Sequence, residues 1–150
     1  MKIYLDLCAI QRPLDTSHQI RIVLESEAVL GIITFCDNGQ AELLSSEALI
    51  YEGEQNLLTI RKEHTLAVLA KAKVIVNITE AAKERAANLI PFGIKPLDAL
   101  HISLAELGNA DYFCTCDDKL LRNAKRVKDL ILKVVNPVDL VQEIENDYRL

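Results

Sequence analysis

The sequence predicts an α/β protein with a parallel sheet covered by helices on both faces. Short apolar runs alternate along the chain with longer segments whose apolar residues recur at helical spacing. Strands separated by helices pair in parallel and bury both faces of their sheet. A chain of 150 residues, 50% of them hydrophobic, has the size of a single domain with a substantial core. We therefore expect one domain over residues 1–150.

Five short segments have the pattern of buried strands. The first contains the apolar run from Ile3 to Leu5, and the third is short and β-branched. The predicted strands span residues 2–7, 41–44, 73–78, 111–115 and 132–135.

Capping residues, glycine and proline mark the helix boundaries. Asp15 and Ser17 are suited to cap a long helix that stops near Gly39, and Ser46 is suited to cap a helix through Glu52. Further helices are predicted at about residues 57–72, 80–92, 96–108 and 117–126, with a last one from residue 137.

Acidic residues stand where such a sheet forms its binding sites, beyond the carboxyl ends of the strands. Asp6 ends the apolar run of the first strand, and Asp117 follows the fourth. Asp98 opens the helix before the fourth strand, and Glu52 lies on the helix after the second. Each acid alone is explained as a cap, a turn residue or a solvated helix residue. If the first and fourth strands are neighbours, the acids can converge, and a divalent cation would offset their repulsion.

Four segments, in this order, resemble a PIN domain and especially the VapC-type toxin nucleases. The segments are Leu5-Asp6 near the N-terminus, Ser46 six residues before Glu52, Pro96-Leu97-Asp98-Ala99-Leu100-His101-Ile102, and Thr115-Cys116-Asp117. The resemblance covers nearly the whole chain. It implies a three-layer α/β/α fold with a five-stranded parallel sheet in the order 3-2-1-4-5, which makes the first and fourth strands neighbours.

The resemblance also implies an activity. The acids that would hold Mg²⁺ or Mn²⁺ are Asp6, Glu52, Asp98 and Asp117, and Thr115 would orient the cluster. Such proteins hydrolyse RNA phosphodiester bonds as toxins of type II toxin-antitoxin pairs. By this resemblance we expect an antitoxin protein as partner and a homodimer.

One residue departs from the family pattern. Cys8 stands two residues after the first aspartate, where many relatives have Ser or Asn. A thiol is a poorer hydrogen-bond donor and a soft ligand for a hard metal, so the departure bears on activity rather than on the fold. Cys8, Cys114 and Cys116 could lie close together, but their spacing is not that of a usual zinc knuckle, which favours buried thiols. His101, one turn after Asp98, fits either a packed helix histidine or a role beside the site.

Substrate contacts are predicted at two basic residues near the acids, Arg12 and Lys119, whose charges could neutralise phosphates. A net charge of -5 argues against broad nucleic-acid binding but leaves room for a local basic rim. The later basic residues fit a solvated helix face equally well. They are Arg122, Lys125, Arg126 and Lys128.

The composition further predicts a cytosolic protein with reduced cysteines. No apolar stretch approaches the roughly 20 residues of a membrane span, and a signal-peptide core is lacking at the N-terminus. Two alternatives to the nuclease remain. One is a catalytically weak PIN-like scaffold that acts through protein contacts. The other is a phosphoryl-accepting receiver domain, for which no lysine stands obviously beside an acceptor aspartate.

Overall fold

A five-stranded parallel sheet, with helices on both sides, forms the centre of the protein in a computed structural model that describes residues 1–148. The strands are β1 (Lys2–Leu5), β2 (Glu42–Ser46), β3 (Val74–Val76), β4 (Tyr112–Cys114) and β5 (Lys133–Val135). Their order in the sheet is β3-β2-β1-β4-β5, and each neighbouring pair is parallel. The predicted fold class and strand order are therefore confirmed.

Strand β1 occupies the middle of the sheet. Ile3, Tyr4 and Leu5 are fully buried, as expected for a central strand covered on both faces. Leu5 is in register with Cys114 of β4, and the next backbone N–H, that of Asp6, donates to the Cys114 carbonyl over 2.9 Å. The carboxyl ends of β1 and β4 therefore lie side by side.

Eight helices connect and follow the strands within the described residues. They are α1 (Leu7–Gln11), α2 (Ile20–Asp37), α3 (Glu47–Glu54), α4 (Thr59–Leu69), α5 (Glu80–Leu89), α6 (Pro96–Leu107), α7 (Asp118–Ala124) and α8 (Pro137–Tyr148). Ser46 and Thr79 cap α3 and α5 through their hydroxyl oxygens, which confirms the predicted starts of these helices. Helix α2 packs against α8, α3 against α4, and α5 against α6.

The segment after β1 differs from the prediction. The strand predicted over residues 2–7 ends at Leu5, because Asp6 turns the chain out of the sheet and caps α1 by accepting from the Leu7 N–H. The five residues of α1 were not predicted as a helix. Helices this short gain their stability from tertiary contacts, which sequence periodicity does not report.

Two further boundaries were wrong. Helix α2 begins at Ile20 after Gln19, and neither Asp15 nor Ser17 caps it. Asp15 instead accepts hydrogen bonds from arginine side chains. The strand predicted over residues 73–78 is only three residues long and forms one edge of the sheet. Among residues 1–148, no helix is long and apolar enough to span a membrane.

Two alanine substitutions at glycines are expected to change stability in opposite directions. A Cβ at Gly108 would lie 2.7 Å from Val76 Cγ2 and 3.0 Å from Leu44 Cδ1, so Gly108→Ala should lower the free energy of unfolding by about 1–3 kcal/mol. Gly31, inside α2, has nothing within 4 Å of that position, so Gly31→Ala should raise it by about 0.5–1 kcal/mol. Urea denaturation measures both, and changes of the same sign would contradict this packing.

Candidate active site

Asp6 and Thr115 meet at the adjoining ends of β1 and β4. The Thr115 hydroxyl donates to Asp6 Oδ2 over 2.9 Å, and the Leu7 N–H donates to Oδ1 over 2.9 Å. The Thr115 oxygen in turn accepts from the Asp117 N–H over 3.1 Å. Thr115 therefore lies between two of the predicted acids, where the orienting role expected of it is geometrically feasible. That role stays a prediction.

Asp117 and Asp98 both stand at helix N-termini, where the helix dipole favours a negative charge. Asp117 caps α7, and its Oδ1 accepts from the N–H groups of Lys119 and Leu120 over 3.0 and 3.2 Å. Asp98 lies in the first turn of α6, directly after Pro96 starts that helix. One oxygen of Asp117 is thus engaged in capping.

Asp98 is close enough to Asp6 and Asp117 to be repelled by both. Burial, followed by the charges of Asp6 and Asp117, raises the pKa of Asp98 to about 6. Burial also raises the pKa of Asp6, against the opposing effects of His101 and Thr115. Bringing like charges together in a partly buried place costs stability unless a cation offsets them. Asp98 therefore lies within electrostatic reach of both other carboxylates, and we refer to Asp6, Asp98 and Asp117 together as the acidic cluster.

Glu52 reaches this cluster through a histidine. Its Oε1 is hydrogen-bonded to His101 Nε2, and its side chain is 23% exposed. A charge on the His101 ring would lower the pKa of both Asp6 and Asp98, so the imidazole stands near those two acids as well. His101 therefore contacts Glu52 and lies within electrostatic reach of Asp6 and Asp98.

The hydroxyl group of Tyr4 contacts the other ring nitrogen of His101. The Tyr4 hydroxyl lies 2.6 Å from His101 Nδ1 and 2.7 Å from Ser46 Oγ, in the buried interior. From the sequence, the role of His101 was open and Tyr4 was not predicted to be a site residue. The available signal was a phenol in the middle of an otherwise aliphatic buried strand, because a buried Tyr O–H needs a hydrogen-bond partner.

Cys8 is exposed rather than buried, and its thiol is within hydrogen-bonding distance of Asp6 and Thr115. Its Sγ lies 3.4 Å from Asp6 Oδ2 and 3.3 Å from Thr115 Oγ1, and it accepts from the Cys116 N–H. The Cys116 thiol, burial and the Asp6 charge raise the pKa of Cys8. The thiol therefore stays protonated and can donate to Asp6, as a hydroxyl would but over a longer distance.

The oxygen-rich cluster suits a hydrated hard cation better than zinc. Within the described part of the chain, no three His, Cys, Asp or Glu side chains form a preformed metal-coordination site. Mg²⁺ does not require such a site, because it keeps several waters and binds through one or two carboxylates. Asp98 and Asp117 fit that mode of binding, with Asp6 behind them. Each acid's role as a ligand stays a prediction.

The two predicted substrate residues are placed differently. All three nitrogens of the Arg12 guanidinium bind carboxylates: Nε and Nη2 donate to Glu25, and Nη1 donates to Asp15. Lys119 is exposed, two residues after Asp117. Arg12 is therefore paired within the protein, whereas Lys119 lies on the surface near Asp117.

Glu25 anchors a polar network that the sequence analysis missed. Its side chain is 1% exposed, and it binds Arg12, Arg21 and Asn136. Arg21 continues to Asp118 through two hydrogen bonds of 2.7 Å and to the Cys116 carbonyl, so it holds the residues on both sides of Asp117. A charged residue at a buried helical position of α2 was the available signal for Glu25.

Comparison with known proteins identifies the family of the chain. The sequence model of the PIN domain matches residues 3–126. The chain belongs to the PIN domain family. Members of this family are nucleases, which are hydrolases. No curated protein matches the chain significantly.

Two solved structures share the PIN fold of the chain. One is VapBC2 from Rickettsia felis, bound to a DNA fragment from its promoter, with a TM-score of 0.58 and 16% identity. The other is DNA-bound VapBC from Salmonella typhimurium, with a TM-score of 0.51 and 20% identity. Each similarity covers 91% of this chain and 98% of the other. At these identities, the similarity establishes the fold.

The raised pKa of Asp98 can be measured directly. In metal-free protein, its carboxyl should titrate at about 6, and Asp117→Asn should lower that pKa because one repelling charge is removed. The folded state then binds this proton more tightly than the unfolded chain, whose carboxyl has the ordinary value of 3.8. The Asp98 contribution to stability is therefore lost as the pH rises through 6. Carboxyl-detected NMR would contradict the cluster if Asp117→Asn left the Asp98 pKa unchanged.

Proposed function

We propose that this PIN domain is a Mg²⁺- or Mn²⁺-dependent endoribonuclease and the toxin of a type II toxin-antitoxin pair. The observation that carries the proposal is the convergence of Asp6, Asp98 and Asp117, which burial and mutual repulsion make costly in the absence of a cation. Clusters of this kind at the carboxyl ends of parallel strands are typical of sites rather than of structural caps.

The residues of the chain would share the chemistry as follows. Asp98 and Asp117 offer carboxylate oxygens at the mouth of the site, and Asp6 is held behind them by Thr115. A bound divalent ion would acidify water and offset charge on the phosphate. Glu52 would add a fourth carboxylate, to hold an ion or to position the attacking water. Cleavage would leave a 5′-phosphate and a 3′-hydroxyl, as the family resemblance implies.

The site assignment predicts the loss of cleavage on neutralisation of one acid. Asp98→Asn or Asp6→Asn should reduce Mg²⁺- or Mn²⁺-dependent RNA cleavage to the level seen with chelator, because each removes a carboxylate charge without changing side-chain size. Circular dichroism should show an intact fold. Asp111 lies at the amino end of β4, whereas the acids lie at the carboxyl ends of the strands. Asp111→Asn is therefore the matched control and should cleave at the wild-type rate. An unchanged rate for Asp98→Asn would refute the assignment.

Lys119 offers a separate test of RNA binding. Lys119→Glu should weaken RNA binding. It should also make the binding constant depend less steeply on salt concentration, because each lost phosphate contact on a single strand reduces the slope of the log–log plot by about 0.7. Lys73→Glu, beside the amino end of β3, carries the same charge change on an exposed residue away from the acids and should have little effect. Filter binding across a range of salt concentrations measures both. Equal slopes for the two variants would argue against a role for Lys119.

A protein partner is the second part of the proposal. The two similar structures are VapBC assemblies, and the chain exposes large apolar side chains around the end of α3 and the start of α4. Exposed apolar patches mark interaction surfaces more often than not. These residues are Tyr51, Leu57, Leu58 and Ile60. They could contact an antitoxin or a second copy of the chain in the cytosol, and a short adjacent reading frame for a DNA-binding protein would support the antitoxin.

The alternative of a catalytically weak scaffold differs in its metal binding. An active nuclease should bind Mn²⁺ measurably in calorimetry, and the binding should weaken in Asp98→Asn. A scaffold that acts only through protein contacts should bind Mn²⁺ feebly in both forms.

A further inference from the structure

We propose that Tyr4 and His101 are positioning residues of the metal site, in which His101, fixed by Tyr4, holds the Glu52 carboxylate beside the aspartates. The inference rests on the proposed function, because it concerns the same acidic site. It goes further by assigning roles to two buried residues that lie behind the acids.

The contacts join three elements of the fold at one point. His101 comes from α6, Glu52 from α3 and Tyr4 from β1. His101 is 1% exposed and Tyr4 is fully buried, so their polar atoms must find partners inside the protein. Both ring nitrogens of His101 are used, one by Tyr4 and the other by Glu52. The imidazole is thereby held in one orientation.

The direction of the hydrogen bonds follows from what each group can donate. Ser46 Oγ accepts from the Leu49 N–H over 3.1 Å, which leaves its own proton free for the Tyr4 oxygen. Tyr4 can then donate to His101 Nδ1, and Nε2–H donates to Glu52, since an ionised carboxylate only accepts. In this assignment, which is the one we propose, the imidazole is neutral and carries its proton on Nε2.

This chain of hydrogen bonds begins and ends on α3. Ser46 caps the start of that helix, and Glu52 lies in its second turn, so the bonds pass through β1 and α6 and return to the same helix. The Glu52 side chain is 23% exposed. Among residues 1–148, His101 is its only hydrogen-bond partner. Without the imidazole, the carboxylate would be free to rotate into solvent, away from Asp6 and Asp98.

Supporting residues of this kind have measurable effects on metal sites. Loss of a hydrogen-bonding partner behind a ligand typically costs 10- to 100-fold in metal affinity, because the ligand is no longer oriented. His64 is a suitable comparison in the same protein. Its Nε2 contacts the Ile10 carbonyl over 2.8 Å and no carboxylate, so its loss removes one hydrogen bond without touching the acids.

The test combines metal affinity with the protonation of the ring. Isothermal titration of the metal-free full chain with Mn²⁺ should give binding about 10- to 100-fold weaker in His101→Gln than in the wild type, and a smaller loss in Tyr4→Phe. His64→Gln should bind as the wild type does. Long-range ¹H–¹⁵N NMR of the metal-free wild type should show the His101 proton on Nε2, and Tyr4→Phe should shift the Nδ1 resonance.

Several results would overturn the inference. A proton on Nδ1 in the neutral ring would show that Tyr4 is not the donor. Wild-type Mn²⁺ affinity in His101→Gln would show that Glu52 needs no support from the imidazole. If His101→Gln does not fold by circular dichroism, Tyr4→Phe decides, and an unchanged affinity together with an unchanged Nδ1 resonance overturns the inference. Absence of Mn²⁺ binding in the wild type would instead refute the proposed function.

Discussion

Parallel pairing of β1 with β4 is the constraint on which the candidate site depends. It places Asp6 beside the end of β4, so that the Thr115 hydroxyl reaches one carboxylate and the Asp117 N–H reaches that hydroxyl. The helices that follow the strands then start at the acids. A shift of one residue in register would turn Thr115 to the other face of the sheet and break this contact. The geometry of the candidate site and the pairing of the sheet are therefore linked through one hydroxyl group.

The acidic cluster works against the stability of the fold that creates it. Burial and repulsion raise the pKa of Asp98, and burial raises the pKa of Asp6, where hydrogen bonds from Thr115 and Leu7 offset only part of the effect. The surrounding core is apolar and well buried, so the domain can carry such a local cost. A cation would relieve the repulsion. The metal-free state is therefore expected to be the less stable form of the protein.

Two polar networks that begin at buried residues adjoin the candidate site. One runs through Tyr4 and His101 to Glu52, and the other joins Glu25 through Arg21 to the residues that flank Asp117. Such a network fixes the orientation of its side chains when each polar group has a hydrogen-bond partner, as the side chains named here do. The acids are therefore attached to the core as well as to the ends of strands and helices.

The sequence by itself determined the α/β class, most helix boundaries and the candidate acids, because hydrophobic periodicity, caps and strand ends are local properties. The strand order came from the family resemblance, and the structure confirmed it. Only the tertiary structure decided that Arg12 is paired with Glu25 and that His101 is paired with Glu52. These partners are separated by 13 and 49 residues, and such contacts depend on how elements pack rather than on any local pattern.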